Sequence, residues 1–232
     1  MEKVLVILEN DDVAGKQNLS LVTKKLIGNR INRIRTVRAV VLEPIGGFPP
    51  ELPAACIGII VGGGLPSVND PKGWIKDEIK LIRQAVDLKL PILGICFGHQ
   101  LIAKAFGSAV VRREKRVGFA DIVKVKDAPI FAGLPETWRA PVYHRDRVEE
   151  LPHGFELIAT SNYCKVQAMA HKKLPIFTVQ FHPEISYGIN SYFADPVMEW
   201  SDKSAFEDAP NRRLVYNFVD MALASLGMKT DE

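Results

Sequence analysis

At 232 residues the chain is long enough for one large domain with a sizeable core, and its 47% apolar and 25% charged residues are those of a globular protein. A net charge of +3 is too small to argue for nucleic acid or a membrane surface. Three cysteines without metal-ligand spacing point to a reduced, cytoplasmic setting, and no apolar run reaches the length of a membrane span or signal segment.

Val4 to Leu8 reads as a buried strand. Asn10 to Asp12 offer N-caps for a helix from Val13 to Ile27 that Gly28 closes. Arg30, Arg33, Arg35 and Arg38 form a basic cluster that fits a solvated edge or a subunit contact better than a phosphate site. Thr36 to Leu42 is a second strand, Glu43 to Pro53 a Pro/Gly-rich loop, and Cys56 to Val61 a third strand running into Gly62-Gly63-Gly64. A helix follows from about Gly73 to Leu88, with Ile75, Ile79, Ile82 and Val86 on one face.

Leu90 to Ile95 is almost wholly apolar, and from Phe97 to Phe106 the pattern turns helical until Gly107. Cys96 stands at the junction, with Gly94 and Gly98 two positions away on either side. That is the spacing of a nucleophile elbow with Cys in place of Ser. A tight strand-to-helix turn strains the backbone at the nucleophile and leaves no room for a Cβ two residues away. The following helix start favours thiolate, and the Phe97 amide is placed to face a developing oxyanion. A Cys in an apolar strand also fits a buried structural residue; the paired glycines and the change of period favour the elbow.

Beyond Gly107 come shorter strands at Ala109–Arg112, Phe119–Val125, Phe155–Thr160, Val166–His171 and Ile176–Phe181, then a last helix from about Asn211 to Leu226 with Gly227 as its cap. The alternation of apolar strands and helices predicts an α/β fold: a three-layer, mostly parallel central sheet flanked by helices, with a small mixed or antiparallel extension. Ligands in such sheets sit beyond the carboxyl ends of the strands, where Gly62–Gly64 and Cys96 both fall. No linker divides the chain, so 1–232 reads as a single domain.

Gln180-Phe181-His182-Pro183-Glu184 follows the last strand. Pro183 biases His182 toward extended backbone, where residues i and i+2 share a side, so Glu184 is placed to hold the His182 imidazole. A His oriented by a carboxylate is what a Cys nucleophile needs as base and then acid. By itself the pair also fits a solvated strand end.

Gly94-Ile95-Cys96-Phe97-Gly98-His99-Gln100 and Phe181-His182-Pro183-Glu184 resemble the two signature motifs of the class I (triad) glutamine amidotransferases. The turn Val61-Gly62-Gly63-Gly64-Leu65-Pro66-Ser67-Val68 is similar to a third, with Leu65 where that family often has Pro. The resemblance implies a flavodoxin-like amidotransferase fold and hydrolysis of the glutamine side-chain amide through a γ-glutamyl thioester on Cys96. His182 would serve as base and acid, Glu184 would orient it, and the Gly64 and Phe97 amides would form the oxyanion hole. Gln100 would help bind L-glutamine. No metal and no cofactor is implied. Within the family, Lys115-Arg116-Val117-Gly118-Phe119, His144-Arg145-Asp146-Arg147-Val148 and Leu151-Pro152-His153-Gly154-Phe155 are most similar to the glutaminase part of GMP synthases, with Arg145 where that group has Gly.

That likeness implies purine biosynthesis and an ammonia-accepting synthetase partner of the ATP pyrophosphatase type. The chain has neither a Ser-Gly-Gly-x-Asp-Ser loop nor a Walker A sequence, so ATP binding is expected of the partner. A stand-alone γ-glutamyl hydrolase is a second reading. A non-catalytic binding or regulatory module on the same fold is a third, disfavoured by the intact Cys96, His182 and Glu184. Residues 185–210 form an insertion relative to the family. With Tyr187, Tyr192, Phe193, Trp200 and Phe206 it reads either as a lid or docking surface beside the site, or as an excursion packed on the body.

Overall fold

Continuous aliphatic runs without polar alternation form strands covered on both faces, and the central strands are built of such runs. The structure is a computed structural model describing residues 2–10, 19–32, 34, 36–44, 47–185 and 208–228, with the backbone alone at 208 and 209. The elements in chain order are β1 (Lys3–Leu8), α1 (Leu19–Ile31), β2 (Val37–Leu42), β3 (Cys56–Val61), α2 (Gly73–Asp87), β4 (Ile92–Ile95), α3 (Phe97–Ala105), β5 (Val110–Lys124), β6 (Thr137–Val148), β7 (Phe155–Thr160), β8 (Ala168–His171), β9 (Ile176–Val179) and α4 (Asp208–Ala224).

Among the described residues these strands form one nine-stranded sheet in the order β2-β1-β3-β4-β9-β8-β7-β5-β6. The half from β2 to β9 is parallel, and every pairing from β9 outward is antiparallel. Successive side chains of a strand point to opposite faces. Leu5 and Ile7 of β1 accordingly enter one core with Leu214 and Phe218 of α4, while Val4, Val6 and Leu8 enter another with Ile82 of α2 and Leu101 of α3. The fold is the α/β sheet flanked by helices that the pattern predicts.

Three local expectations are corrected. Helix α1 does not close at Gly28 but continues to Ile31, because Ile27 and Ile31 are both buried and carry the apolar face past the glycine. The proposed start of this helix, 13–18, lies outside the described residues, as does 186–207 of the insertion. The runs Ala109–Arg112 and Phe119–Val125 are parts of the single strand β5, and its antiparallel partner β6 was not expected as a strand at all. Arg30 of the basic cluster is half-buried in an ion pair within the chain. It donates two hydrogen bonds, at 2.9 and 2.6 Å, to Asp220 and ties α1 to α4. Arg33 and Arg35 lie outside the described residues.

Candidate active site

Strand β4 delivers Cys96 to the carboxyl edge of the sheet, and α3 begins at the next residue. Cys96 has φ 50° and ψ −98°, a positive φ that a residue with a Cβ adopts only where surrounding structure enforces it. The enforcing contacts are visible. The Cys96 amide donates to the Val179 carbonyl of β9 at 2.8 Å, and the Gly98 amide donates to the Gly62 carbonyl at the end of β3 at 3.0 Å. A Cβ on Gly94 would lie 2.8 Å from the Gly98 carbonyl oxygen, and one on Gly98 would overlap the Val61 carbonyl. The glycines make room for each other and for β3, rather than for the nucleophile itself.

Because β4 and β9 are neighbours, His182 arrives at the same edge soon after β9 ends at Val179. Its amide donates to the Pro141 carbonyl of β6 at 2.9 Å. Residues 182–185 then form a turn in which the Ile185 amide donates to the His182 carbonyl at 3.3 Å. Glu184 therefore meets the imidazole across a turn, where an extended segment was expected. The contact itself is made: His182 Nδ1 lies 2.7 Å from Glu184 Oε1, both side chains buried. Burial opposes a charge on His182, yet the Glu184 carboxylate and the Cys96 sulfur, by charge and by hydrogen bonding, hold its pKa well above the ordinary value. The carboxylate is thus bonded to the imidazole, and the sulfur lies near enough to act on it electrostatically.

The Cys96 thiol also reaches the Tyr143 carbonyl of β6 at 3.6 Å. Gly63 packs on the imidazole so closely that a Cβ there would lie 2.8 Å from His182 Cε1. Gly64 is pressed against Asn10, whose Nδ2 donates to the Gly62 carbonyl at 2.6 Å. These bonds fix the glycine turn against the end of β1. The Phe97 ring is buried 5.7 Å from the Trp74 ring, and its amide stands at the first helical position, where no intrahelical acceptor exists.

Cys96, Gly64, Gln100 and Tyr143 line a cavity of about 260 Å³, completed by Ser67, Arg112, Lys115 and the 144–146 segment. Gln100 Nε2 donates to the Asp146 carbonyl at 2.8 Å and to Gln180 Oε1 at 3.2 Å. The Ser67 hydroxyl donates to the Asp146 carboxylate in a short hydrogen bond, and Arg112 Nε donates to the other carboxylate oxygen at 3.1 Å. His144, 5% exposed, is pushed down to about 3 by burial and the Arg147 charge, so it is a neutral wall group and no acid. His99 is wholly buried, with Nδ1 2.7 Å from Thr178 Oγ1, and it too is lowered to about 3 by burial and then by His144.

All the residues singled out from the sequence, Cys96, His182, Glu184, Gly64, Phe97 and Gln100, therefore gather at one edge of the sheet. Tyr143, Ser67, Arg112 and Asp146 were not assigned to the site by sequence reasoning. The 144–148 segment carried a signal in its family likeness, but nothing in its pattern showed that β6 would return to the elbow. Among the described residues no group of three His, Cys, Asp or Glu could hold a metal ion, and no helix is long and apolar enough to cross a membrane.

Comparison with known proteins agrees with this geometry. Residues 46–198 match the family model described as glutamine amidotransferase class-I. The chain is 44% identical over 147 residues to the glutamine-hydrolysing GMP synthase subunit of Thermococcus kodakarensis, covering 63% of this chain and 72% of that protein. It is 37% identical over 171 residues to the protein of the same name from Methanococcus aeolicus, covering 70% and 87%. Among solved structures, a glutamine amidotransferase from Thermotoga maritima superposes with a TM-score of 0.78 at 20% identity, covering 96% of this chain and 98% of that one. Another from Methylobacillus flagellatus gives 0.73 at 22%, covering 100% and 97%; at such identities these two speak to the fold alone.

Proposed function

The chain belongs to the class I glutamine amidotransferases, and from that premise we propose that it hydrolyses the side-chain amide of L-glutamine and supplies the ammonia to a synthetase partner. His182 takes the Cys96 proton, and the sulfur attacks the amide carbon. The tetrahedral oxyanion is held by the Phe97 amide and a backbone amide of the glycine turn, assigned to Gly64. His182, its charge balanced by Glu184, gives the proton to the departing ammonia and leaves a γ-glutamyl thioester. Water activated by the same imidazole cleaves the thioester, releasing glutamate and restoring the thiol. Gln100 has its NH2 group tied to Asp146 and Gln180, so its carbonyl side is the one offered to the substrate.

The observation that supports this reading is the buried His182–Glu184 pair, its imidazole under the influence of the Cys96 sulfur, beside a cavity that Cys96 lines and that is sized for a small molecule. The names of the relatives favour a synthetase that makes GMP, and the family likeness favours an ammonia acceptor of the ATP pyrophosphatase type in the cytoplasm. The chain acts as one domain, with 185–210 as a lid or docking surface. Deleting 188–208 should alter glutamine turnover or partner binding, and unaltered behaviour in both rejects that role.

The central test is ammonia release from glutamine by the wild type and by Cys96→Ala, each alone and with such a synthetase. The wild type should release ammonia in at least one setting and Cys96→Ala in neither. A Cys96→Ala protein as active as the wild type overturns the mechanism. Full ammonia release in every setting, indifferent to the synthetase, would instead favour the stand-alone hydrolase.

A further inference from the structure

The cavity that holds Cys96 is lined by three cations, Arg112, Lys115 and Arg145, and by one carboxylate, Asp146. Two of the cations are engaged. Arg112 is paired with Asp146 at 3.1 Å, and the Lys115 ammonium lies over the Tyr143 ring, 4.6 Å from its centroid. Arg145 is exposed and makes no hydrogen bond, ion pair or ring contact among the described residues. A guanidinium lining a cavity without a partner of its own is a ready anion receptor, because its planar fork matches a carboxylate.

The backbone sets its reach. Tyr143, whose carbonyl is 3.6 Å from the Cys96 sulfur, and Arg145 are two positions apart on β6. Residues i and i+2 of a strand share a face and lie about 6.8 Å apart along it. In an extended glutamine the side-chain amide carbon and the α-carboxylate carbon are about 5 Å apart by standard bond geometry. With the amide carbon at the sulfur and the substrate laid along β6, the α-carboxylate would fall about one pleat away, on the Arg145 side of the same cavity.

We infer that Arg145 is a specificity-determining residue that binds the α-carboxylate of the substrate and restricts the site to γ-glutamyl compounds whose α-carboxylate is free. This inference rests on the glutaminase reading. It adds a residue that the triad and oxyanion groups do not supply.

The test has an arm that needs no turnover. Alkylation of Cys96 is followed by mass spectrometry with iodoacetate, an anion, and iodoacetamide, its neutral counterpart, in the wild type, Arg145→Ala, Arg145→Lys and Arg113→Ala. The iodoacetate-to-iodoacetamide rate ratio should fall about fivefold in Arg145→Ala, recover in Arg145→Lys and stay unchanged in Arg113→Ala, whose arginine is paired with Glu149 outside the cavity. In steady-state assays Arg145→Ala should raise KM for L-glutamine about tenfold with kcat little changed. It should leave KM for the α-carboxamide analogue of glutamine as it is in the wild type. An unchanged alkylation ratio, or an equal KM rise for both substrates, overturns the inference. If the wild type fails to hydrolyse glutamine both alone and with the synthetase, the glutaminase reading fails, and the alkylation ratio still reports on Arg145 by itself.

Discussion

His182 Nδ1 lies 2.7 Å from Glu184 Oε1, with both groups shut away from water. A carboxylate at that distance fixes which ring nitrogen faces it and leaves the other for the sulfur. Replacing it by a neutral amide keeps the shape and removes the charge that holds the imidazolium. Glu184→Gln should therefore lower kcat for glutamine hydrolysis by about a hundredfold or more. A rate close to wild type, measured at saturating glutamine, would remove Glu184 from the proton path.

Two glycines of the site should respond differently to a methyl group. In Gly98→Ala the new Cβ overlaps the Val61 carbonyl, a backbone atom that cannot step aside. The expected loss is about 3 kcal/mol of stability, read from the denaturant midpoint. In Gly63→Ala the obstacle is a ring, His182 Cε1 at 2.8 Å, and a ring can rotate. That variant should lose proportionally more kcat than stability. Equal behaviour of the two would contradict the packing described.

Acid should destabilise the fold through two histidines remote from each other in sequence. Burial and the His144 charge lower His99 to about 3, and burial and the Arg147 charge lower His144 to about 3, against an ordinary 6.5. The unfolded chain then binds protons that the folded chain refuses. Stability from this source is complete above pH 6.5 and falls as pH drops toward 3, at up to about 1.4 kcal/mol per pH unit for each histidine. Urea midpoints measured across this window should fall less steeply in a His99→Gln, His144→Gln double variant. An identical slope would show that other groups govern the acid limb.

Glu78 of α2 is wholly buried, and neither carboxylate oxygen has a hydrogen-bond partner among the described residues. Burial, and then the Glu9 carboxylate, push its pKa well above the ordinary 4.5. Here the folded chain keeps a proton that the unfolded chain releases. Its stability contribution is therefore most favourable below pH 4.5 and is lost as pH rises toward the folded value. Glu78→Gln should stabilise the protein by about 1–3 kcal/mol at pH 8, with the gain fading toward pH 4.5. Destabilisation at pH 8 would mean that the carboxylate has a role the packing does not reveal.

The elbow was legible because its requirement is local: a positive φ at Cys96 and two close approaches that admit only Gly94 and Gly98 leave a fixed spacing in the chain. The parallel strands were legible for a similar reason, since burial on both faces writes an unbroken aliphatic run. Strand β6 was not, because the core residues Trp138, Ala140 and Val142 alternate with the exposed Arg139 and the half-buried Tyr143, and Pro141 interrupts the run. The charged stretch Arg112 to Arg116 hid the continuity of β5 in the same way, and a register shift falls within it. Glu78 escaped notice because helical spacing placed Ile75, Ile79, Ile82 and Val86 on the inner face; the buried set is Ile75, Glu78, Leu81, Ile82 and Ala85, with Ile79 and Val86 half-buried at its edge. What the sequence withheld was the return of β6 to the sulfur, which depends on pairings far along the chain.

Strands β4 and β9 lie side by side although four strands intervene between them along the chain. The polypeptide leaves the elbow, builds the antiparallel half of the molecule, and rejoins at the adjacent strand, where the Cys96 amide meets the Val179 carbonyl. This long detour is pinned at both ends by the same seam. Its far tip can be lengthened, recharged or reshaped to suit a different ammonia acceptor while nucleophile and base keep their spacing, so changes of partnership and changes of chemistry are separable events in this architecture.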